Sequence, residues 1–416
     1  MRGTLSARGT IAGALAGLVL LGAASSAQER KRPGRYRLGP VYVTPRLQIK
    51  EAGVDTNVFQ TLQNPTRDEV VVFGPRLEST MNLRRLRVTS LAFLEVNYFN
   101  REGEERFTDF YGDGKAELDL GPLTFFAGGG GGQFHNRFSI DVDERLKRQE
   151  KRGHLGLTWH LTRRFSATAQ GADEVVTFAP GVFRLGGFVK EAMDRDTLTG
   201  SAQLRYALTH KTTLVVSADA LEDRFFSQPL DTPRVRQSYR YLAGVELGPR
   251  ALLSGKLLLG LRQFPGTLAQ GSPPYEGPVV SADLVLPLRH ARLRFQGDRD
   301  VQYAGSIVAV GALRYRNAFI YDRYRGEASF GLPRGFVFVL SGGFENARYL
   351  LPYPYPDAFH LNRRVDHRWM AGGGLFCQLG DQVRVGAQAQ WVRRVSSLAL
   401  FSYEGVRYGL SAEIIP

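Results

Sequence analysis

Residues 193–212 read "MDRDTLTGSAQLRYALTHKT", and the fold is decided by how they alternate. Leu198, Gly200, Ala202, Leu204, Tyr206 and Leu208 fall on one side of an extended chain. Thr197, Thr199, Ser201, Gln203 and Arg205 fall on the other. A period of two is that of a β-strand with one apolar and one wet face. The short turn Thr209–Lys211 then sends the chain back.

The same unit recurs along the chain. At 292–303, Leu293, Phe295, Gly297, Val301 and Tyr303 oppose Arg292, Arg294, Gln296, Asp298 and Asp300. At 383–396, Val383, Val385, Ala387, Ala389 and Trp391 oppose Arg384, Gln388 and Gln390. Tight turns fall at Asn82–Leu86, Gly121–Pro122, Thr162–Arg164, Thr209–Lys211, Gly248–Arg250, Arg289–Ala291, Pro333–Gly335 and Gly380–Gln382, about 41 residues apart. Connections at the other end are longer, as at Ala179–Ala192, Pro265–Glu276 and Leu351–Arg363. Short turns at one end and long loops at the other are the signature of an outer-membrane barrel, with turns periplasmic and loops outside. The fold class expected is therefore all-β: a transmembrane antiparallel up-and-down barrel of about 18 strands, from a first strand over 41–59 to a last over 402–415.

The N-terminus agrees with export. Arg2 and Arg8 precede the apolar run Ile11–Leu21, and small residues at Ser25 and Ala27 suit cleavage before Gln28. The boundaries predicted are a signal peptide over 1–27, a basic periplasmic tail over 28–40 and the barrel over 41–416. Beyond the leader no apolar run approaches the roughly 18 residues of a membrane helix. Cys377 is the only cysteine, so no internal disulfide can brace the exported chain. The 47 glycines, 26 phenylalanines and 17 tyrosines, with a mean hydropathy of −0.21, fit a sheet whose lipid and lumen faces cancel in the average. Aromatics near strand ends suit interfacial girdles: Trp159, Phe165, Phe336 and Phe376 by the turns, and Tyr98, Phe225, Tyr303 and Tyr349 by the loops.

Net charge is +14; without Arg2 and Arg8 there remain 52 basic and 40 acidic residues, a balance of +12. Alternation puts Arg240, Arg292, Arg294, Arg323, Arg325, Arg368 and Arg384 on the lumen face, with Asp298, Asp300, Glu327 and Asp366. Cross-strand ion pairs that keep a wide lumen hydrated are one reading, and a field favouring anionic solutes is the other. Nucleic acid is not an expected partner, because the aromatics are used on the lipid face.

"FFAGGGGGQFHNRF" (125–138) holds five consecutive glycines, Gly128, Gly129, Gly130, Gly131 and Gly132. A phosphate loop would need Lys-Ser/Thr and a helix after it, and neither follows. The run starts just after the Gly121–Pro122 turn and has to cross the membrane, so it is read as a glycine-rich wall strand. Alternation puts Gly128, Gly130 and Gly132 on one face and Gly129 and Gly131 on the other, so that one of the two sets leaves the inner wall bare. Motifs for catalysis are missing: the sequence has no G-x-S-x-G, H-E-x-x-H or C-x-x-C, and its seven histidines lack metal-ligand spacing. "DVDE" (Asp141–Glu144) clusters carboxylates in a loop without the rest of an EF-hand. No catalytic residue, metal or cofactor is expected, and an enzyme housed in the barrel is the weakest class.

Near the start of the barrel, "LGPVYVTPRLQIKEAGVDTNVF" (Leu38–Phe59) carries Pro45, then Asp55, Asn57 and Phe59. This resembles the first strand of the β-barrel porin 2 family, outer-membrane barrels often encoded with exopolysaccharide operons. The chain departs from such barrels at its end, where Pro416 replaces an aromatic. The resemblance implies export of a capsular or extracellular polysaccharide, beside a periplasmic polysaccharide-export protein and within outer-membrane lipid. The alternative is a general or anion-preferring diffusion porin.

Overall fold

In the computed structural model, nineteen strands join in one sheet, and it closes on itself because the last pairs with the second. The residues described are 35–180, 189–227, 235–249, 251–265, 274–310, 313–352 and 363–416; the expected leader and most of the basic tail lie outside them.

The strands are β1 (Tyr36–Leu38), β2 (Val41–Asp55), β3 (Asp68–Leu83), β4 (Leu86–Phe99), β5 (Phe107–Asp119), β6 (Leu123–Phe134), β7 (Arg148–His160), β8 (Phe165–Phe178), β9 (Arg195–Ala207) and β10 (Thr212–Phe225). They continue as β11 (Val235–Leu247), β12 (Ser254–Phe264), β13 (Tyr275–Pro287), β14 (Ala291–Val310), β15 (Leu313–Gly331), β16 (Phe336–Pro352), β17 (Arg363–Leu379), β18 (Val383–Ser396) and β19 (Tyr403–Ile414). A short helix, α1 (Val189–Met193), precedes β9. Each strand from β2 to β19 pairs antiparallel with its sequence neighbours, and Leu410 opposite Ala52 shuts the ring, so the barrel wall has 18 strands. Closure matters because an open edge in lipid would leave backbone groups without partners. β1 folds back on β2, Tyr36 opposite Val43, where β2 runs past the end of β19.

Alternation sets the faces as expected. Leu155 and Leu410 are each 64% exposed on the outer wall, and Leu204, Val216 and Leu259 stand out likewise, while polar neighbours turn inward. An apolar belt of this extent around a closed barrel is a lipid-facing surface, and the chain is an outer-membrane β-barrel. One bulge modifies the pattern: the register shifts between Ile49 and Glu51. It lets Lys50 and Glu51 both face the lumen, where Lys50 bonds Glu95 and Glu51 takes Arg407 at 2.5 Å.

Boundaries differ where loops were expected. β2 ends at Asp55 rather than 59, and β6 ends at Phe134 rather than 138, because the chain there turns into the lumen. β14 and β15 run on to Val310 and from Leu313, through residues read as a loop between 303 and 319. That hairpin leans inward: Val301 and Ala318 pack on Phe264 of β12, and the Tyr303 hydroxyl donates to Asp223 Oδ2 at 2.8 Å. Val301 and Tyr303 therefore do not face lipid. Their parity is that of the outer face, but the tilt of the hairpin presses this face against the inner wall of the neighbouring strands.

Candidate functional site: a lumen crossed by one loop

The connection from β6 to β7 (135–147) leaves the wall at Phe134, which is turned inward, and does not run over the rim. The His135 N–H donates to Asp109 Oδ1 at 2.7 Å, fixing its root. Arg137 Nη2 and Arg145 Nη1 both donate to the Val58 carbonyl, at 2.8 and 3.1 Å, so the β2–β3 loop holds its two legs together. Arg145 also meets Glu105 at 2.5 Å. Burial, then the adjacent Arg137, brings Arg145 down to about 10, which leaves it charged at neutral pH. At the tip, Ser139 Oγ accepts the N–H groups of Asp141 (3.2 Å) and Val142 (3.0 Å), shaping the turn.

The tip is bound on the far side of the barrel. Asp141 accepts the Gly305 N–H at 2.6 Å, the Tyr349 hydroxyl, and Arg364 Nη1 at 3.2 Å. Arg364 then meets Asp366 at 2.8 Å, Asp366 meets Arg394 at 2.7 Å, and Arg394 returns to Asp143 at 2.8 Å. Charges alternate along this chain, and both ends lie on the same loop. The Arg364 and Asp141 side chains are fully buried, so each charge depends on its partners. Arg364 also lies 3.6 Å from the centre of the Phe401 ring and 4.6 Å from that of Tyr349. Apolar side chains seat the loop as well. Ile140 packs with Ala304, Phe319, Ala347 and Tyr349; Val142 packs with Val176, Phe178, Val189, Met193 and Phe401.

Beneath the loop the lumen keeps two cavities. One, of about 340 Å³, lies between β2–β5 and β15–β18, with Asn136, Arg137 and Arg145 overhead. The other, of about 250 Å³, is bordered by Arg294, Arg325, Glu327, Arg368 and Gln390. Together they are lined by eight basic side chains (Lys50, Arg137, Arg145, Arg294, Arg325, Arg368, Arg384 and Arg407) and three acidic ones (Glu51, Glu95 and Glu327). Ser341, Gly343, Gly372 and Gly374 supply a stretch of wall with almost no side chain.

The lumen residues expected from alternation lie on inward rows, mostly in ion pairs. Arg294 meets Asp283 at 2.7 Å and Arg323 meets Asp298 at 2.7 Å. Asp300 joins Arg262 (2.8 Å) and Arg240 (3.3 Å), while Arg325 (2.9 Å) and Arg368 share the buried Glu345. Arg292 opposes Ser329 near the turns. Glu327 borders both cavities. The aromatic girdle is partly as expected. Trp159, Phe336 and Tyr98 stand exposed, but three others are buried within the barrel: Phe225 packs on the hairpin, Tyr349 on the loop, and Phe376 under Arg384 beside the larger cavity.

The glycine run lies in β6 with its inward members framed by charge. Rows across β5, β6 and β7 read Lys115–Gly128–His154, Asp113–Gly130–Arg152 and Tyr111–Gly132–Glu150. The bare strand is bridged: Arg152 reaches over Gly130 to Asp113 at 2.8 Å and to the Tyr111 hydroxyl. Neighbouring backbone closes in too, since a Cβ on Gly131 would stand 2.7 Å from the Glu150 carbonyl. The acidic loop stretch is likewise resolved. Asp141 and Asp143 bind arginines, and the described residues contain no group of three or more side chains suited to a metal. Sequence reading missed Arg364, Arg394 and Tyr349 as partners; the carboxylates of "DVDE" were the one signal.

No protein-family model matches the sequence, and no curated protein matches it. Similar solved structures include Pseudomonas aeruginosa OccK5 (OpdH), at 12% identity and a TM-score of 0.45, covering 90% of this chain and 98% of that one. Acinetobacter baumannii OccAB3 is 9% identical, with a TM-score of 0.45 over 89% of this chain and 98% of that one. The siderophore receptor PirA from Acinetobacter baumannii is 7% identical, with a TM-score of 0.46 over 91% and 81%.

Proposed function

We propose that the chain is an outer-membrane diffusion channel that passes small anionic solutes through a lumen narrowed by the 135–147 loop. The observation that carries this is the buried Asp141–Arg364–Asp366–Arg394–Asp143 chain, which ties the loop across the lumen. A barrel of 16–18 strands encloses an aqueous channel unless loops fill it. A crossing segment then limits solute size, and six basic against three acidic side chains below it, with Arg137 and Arg145 on the loop itself, favour anions. Planar-bilayer recording under a salt gradient tests this: the reversal potential should take the anion-selective sign. A cation-selective sign would refute it.

A second reading keeps polysaccharide export, with a periplasmic polysaccharide-export protein as partner. What favours it is the side-chain-poor wall of Ser341, Gly343, Gly372 and Gly374, along which a polymer would meet few obstacles. It requires the loop to leave the lumen. Loss of surface polysaccharide on gene deletion, restored by the wild-type chain, would support it; unchanged polysaccharide would exclude it.

A further inference from the structure

Besides the lumen cavities, whose arginines mostly have acidic partners, the barrel carries a second excess of positive charge. It lies at the short-turn end of the barrel. Five turns there share one arrangement: Leu83 precedes Arg84, Leu161 precedes Arg163, Leu208 precedes Lys211, Leu288 precedes Arg289, and Leu332 precedes Arg334. Each leucine continues the outward parity of its strand and is 40–52% exposed. Each basic residue is exposed, and none of the five makes an ion pair among the described residues. The described residues of these five turns include no acidic residue, and those of the remaining short turns include one, Asp381.

We infer that this rim binds anionic phospholipid headgroups of the periplasmic leaflet. The leucines extend the lipid belt to the last residue before each turn, so the neighbours outside are acyl chains. A basic side chain one to three residues further on then stands at the depth of the phosphates, where it attracts anionic lipid. The pairs are spread over turns from β3–β4 to β15–β16, which suits a lipid annulus better than a protein docked on one sector.

The test is native mass spectrometry of the barrel released from mixed phosphatidylethanolamine–phosphatidylglycerol nanodiscs, with phosphatidylglycerol the minor lipid. Bound lipid on the wild type should be enriched in phosphatidylglycerol, by about fivefold for each headgroup that engages a basic side chain. The R84Q/R163Q/K211Q/R289Q/R334Q variant should lose that enrichment, while R67Q/R363Q, altered at the opposite end, should keep it. Should the five-fold variant fail to fold, the wild type at molar salt serves instead, since a Debye length of about 3 Å screens exposed charges. Bound lipid in the bulk ratio on the wild type, or enrichment surviving in the folded rim variant or at molar salt, overturns the inference. An acidic periplasmic protein retained by the wild type with no lipid preference also overturns it, in favour of a protein partner.

Discussion

The guanidinium of Arg364, on β17, lies 3.2 Å from the carboxylate of Asp141, at the tip of a loop rooted between β6 and β7 almost diametrically across the ring. Neither side chain has exposed surface, so the pair is a bolt through the barrel interior. Removing one partner of a buried pair typically costs about 3–5 kcal/mol, because the other charge is left uncompensated. In this barrel that cost falls on a loop that can swing free while the wall persists. Arg364→Met should therefore release the loop without unfolding the barrel. Limited trypsin digestion checks it: new cuts after Arg137 and Arg145 are expected in the variant and not in the wild type, with heat-modifiable gel mobility unchanged.

The glycine strand makes a separate prediction. Gly130→Val should break the Arg152–Asp113 bridge and crowd the Gly112 carbonyl. Overpacking of this kind costs typically 1–3 kcal/mol. Gly112→Ala, where a Cβ meets nothing within 4 Å, should be neutral. Urea unfolding followed by tryptophan fluorescence compares the two; equal midpoints would mean that the bare wall has no structural use.

The inward lean of β14–β15 can be read by labelling. On a Cys377→Ser background, Leu204→Cys should react with a lipid-soluble maleimide in proteoliposomes. Tyr303→Cys should not, because Tyr303 packs between Phe225 and Phe264. Reaction of both at similar rates would put Tyr303 back on the lipid face.

Selectivity has its own test in Arg384. It borders the larger cavity, with its guanidinium 4.3 Å from the centre of the Phe376 ring. Arg384→Glu should move the reversal potential toward cations and leave folding intact. An unmoved potential would remove this residue from the solute path.

These particulars show what was legible in the sequence. Alternation in β9 assigns Leu204 outward and Gln203 inward without reference to any other strand, because a wall strand meets lipid on one face and water on the other. Turn chemistry places the short-turn end of the barrel for the same local reason. The loop network had no such local signal. Asp141 and Arg364 are 223 residues apart, and only closure of the ring brings them together. Val301 and Tyr303 show the limit of parity: the face is read correctly, but where that face points depends on how the hairpin bends. Gly130 shows a second limit, since a missing side chain does not announce that its neighbours on β5 and β7 will meet above it.

The most direct test of a loop-narrowed channel is single-channel conductance of the wild type beside the Asp141→Ala/Asp143→Ala variant in the same bilayer. A lumen narrowed by this loop should give a small, anion-selective wild-type conductance and a severalfold larger one in the variant, with the barrel still folded. Equal conductances, at the large value of an unobstructed barrel of this size, would contradict it.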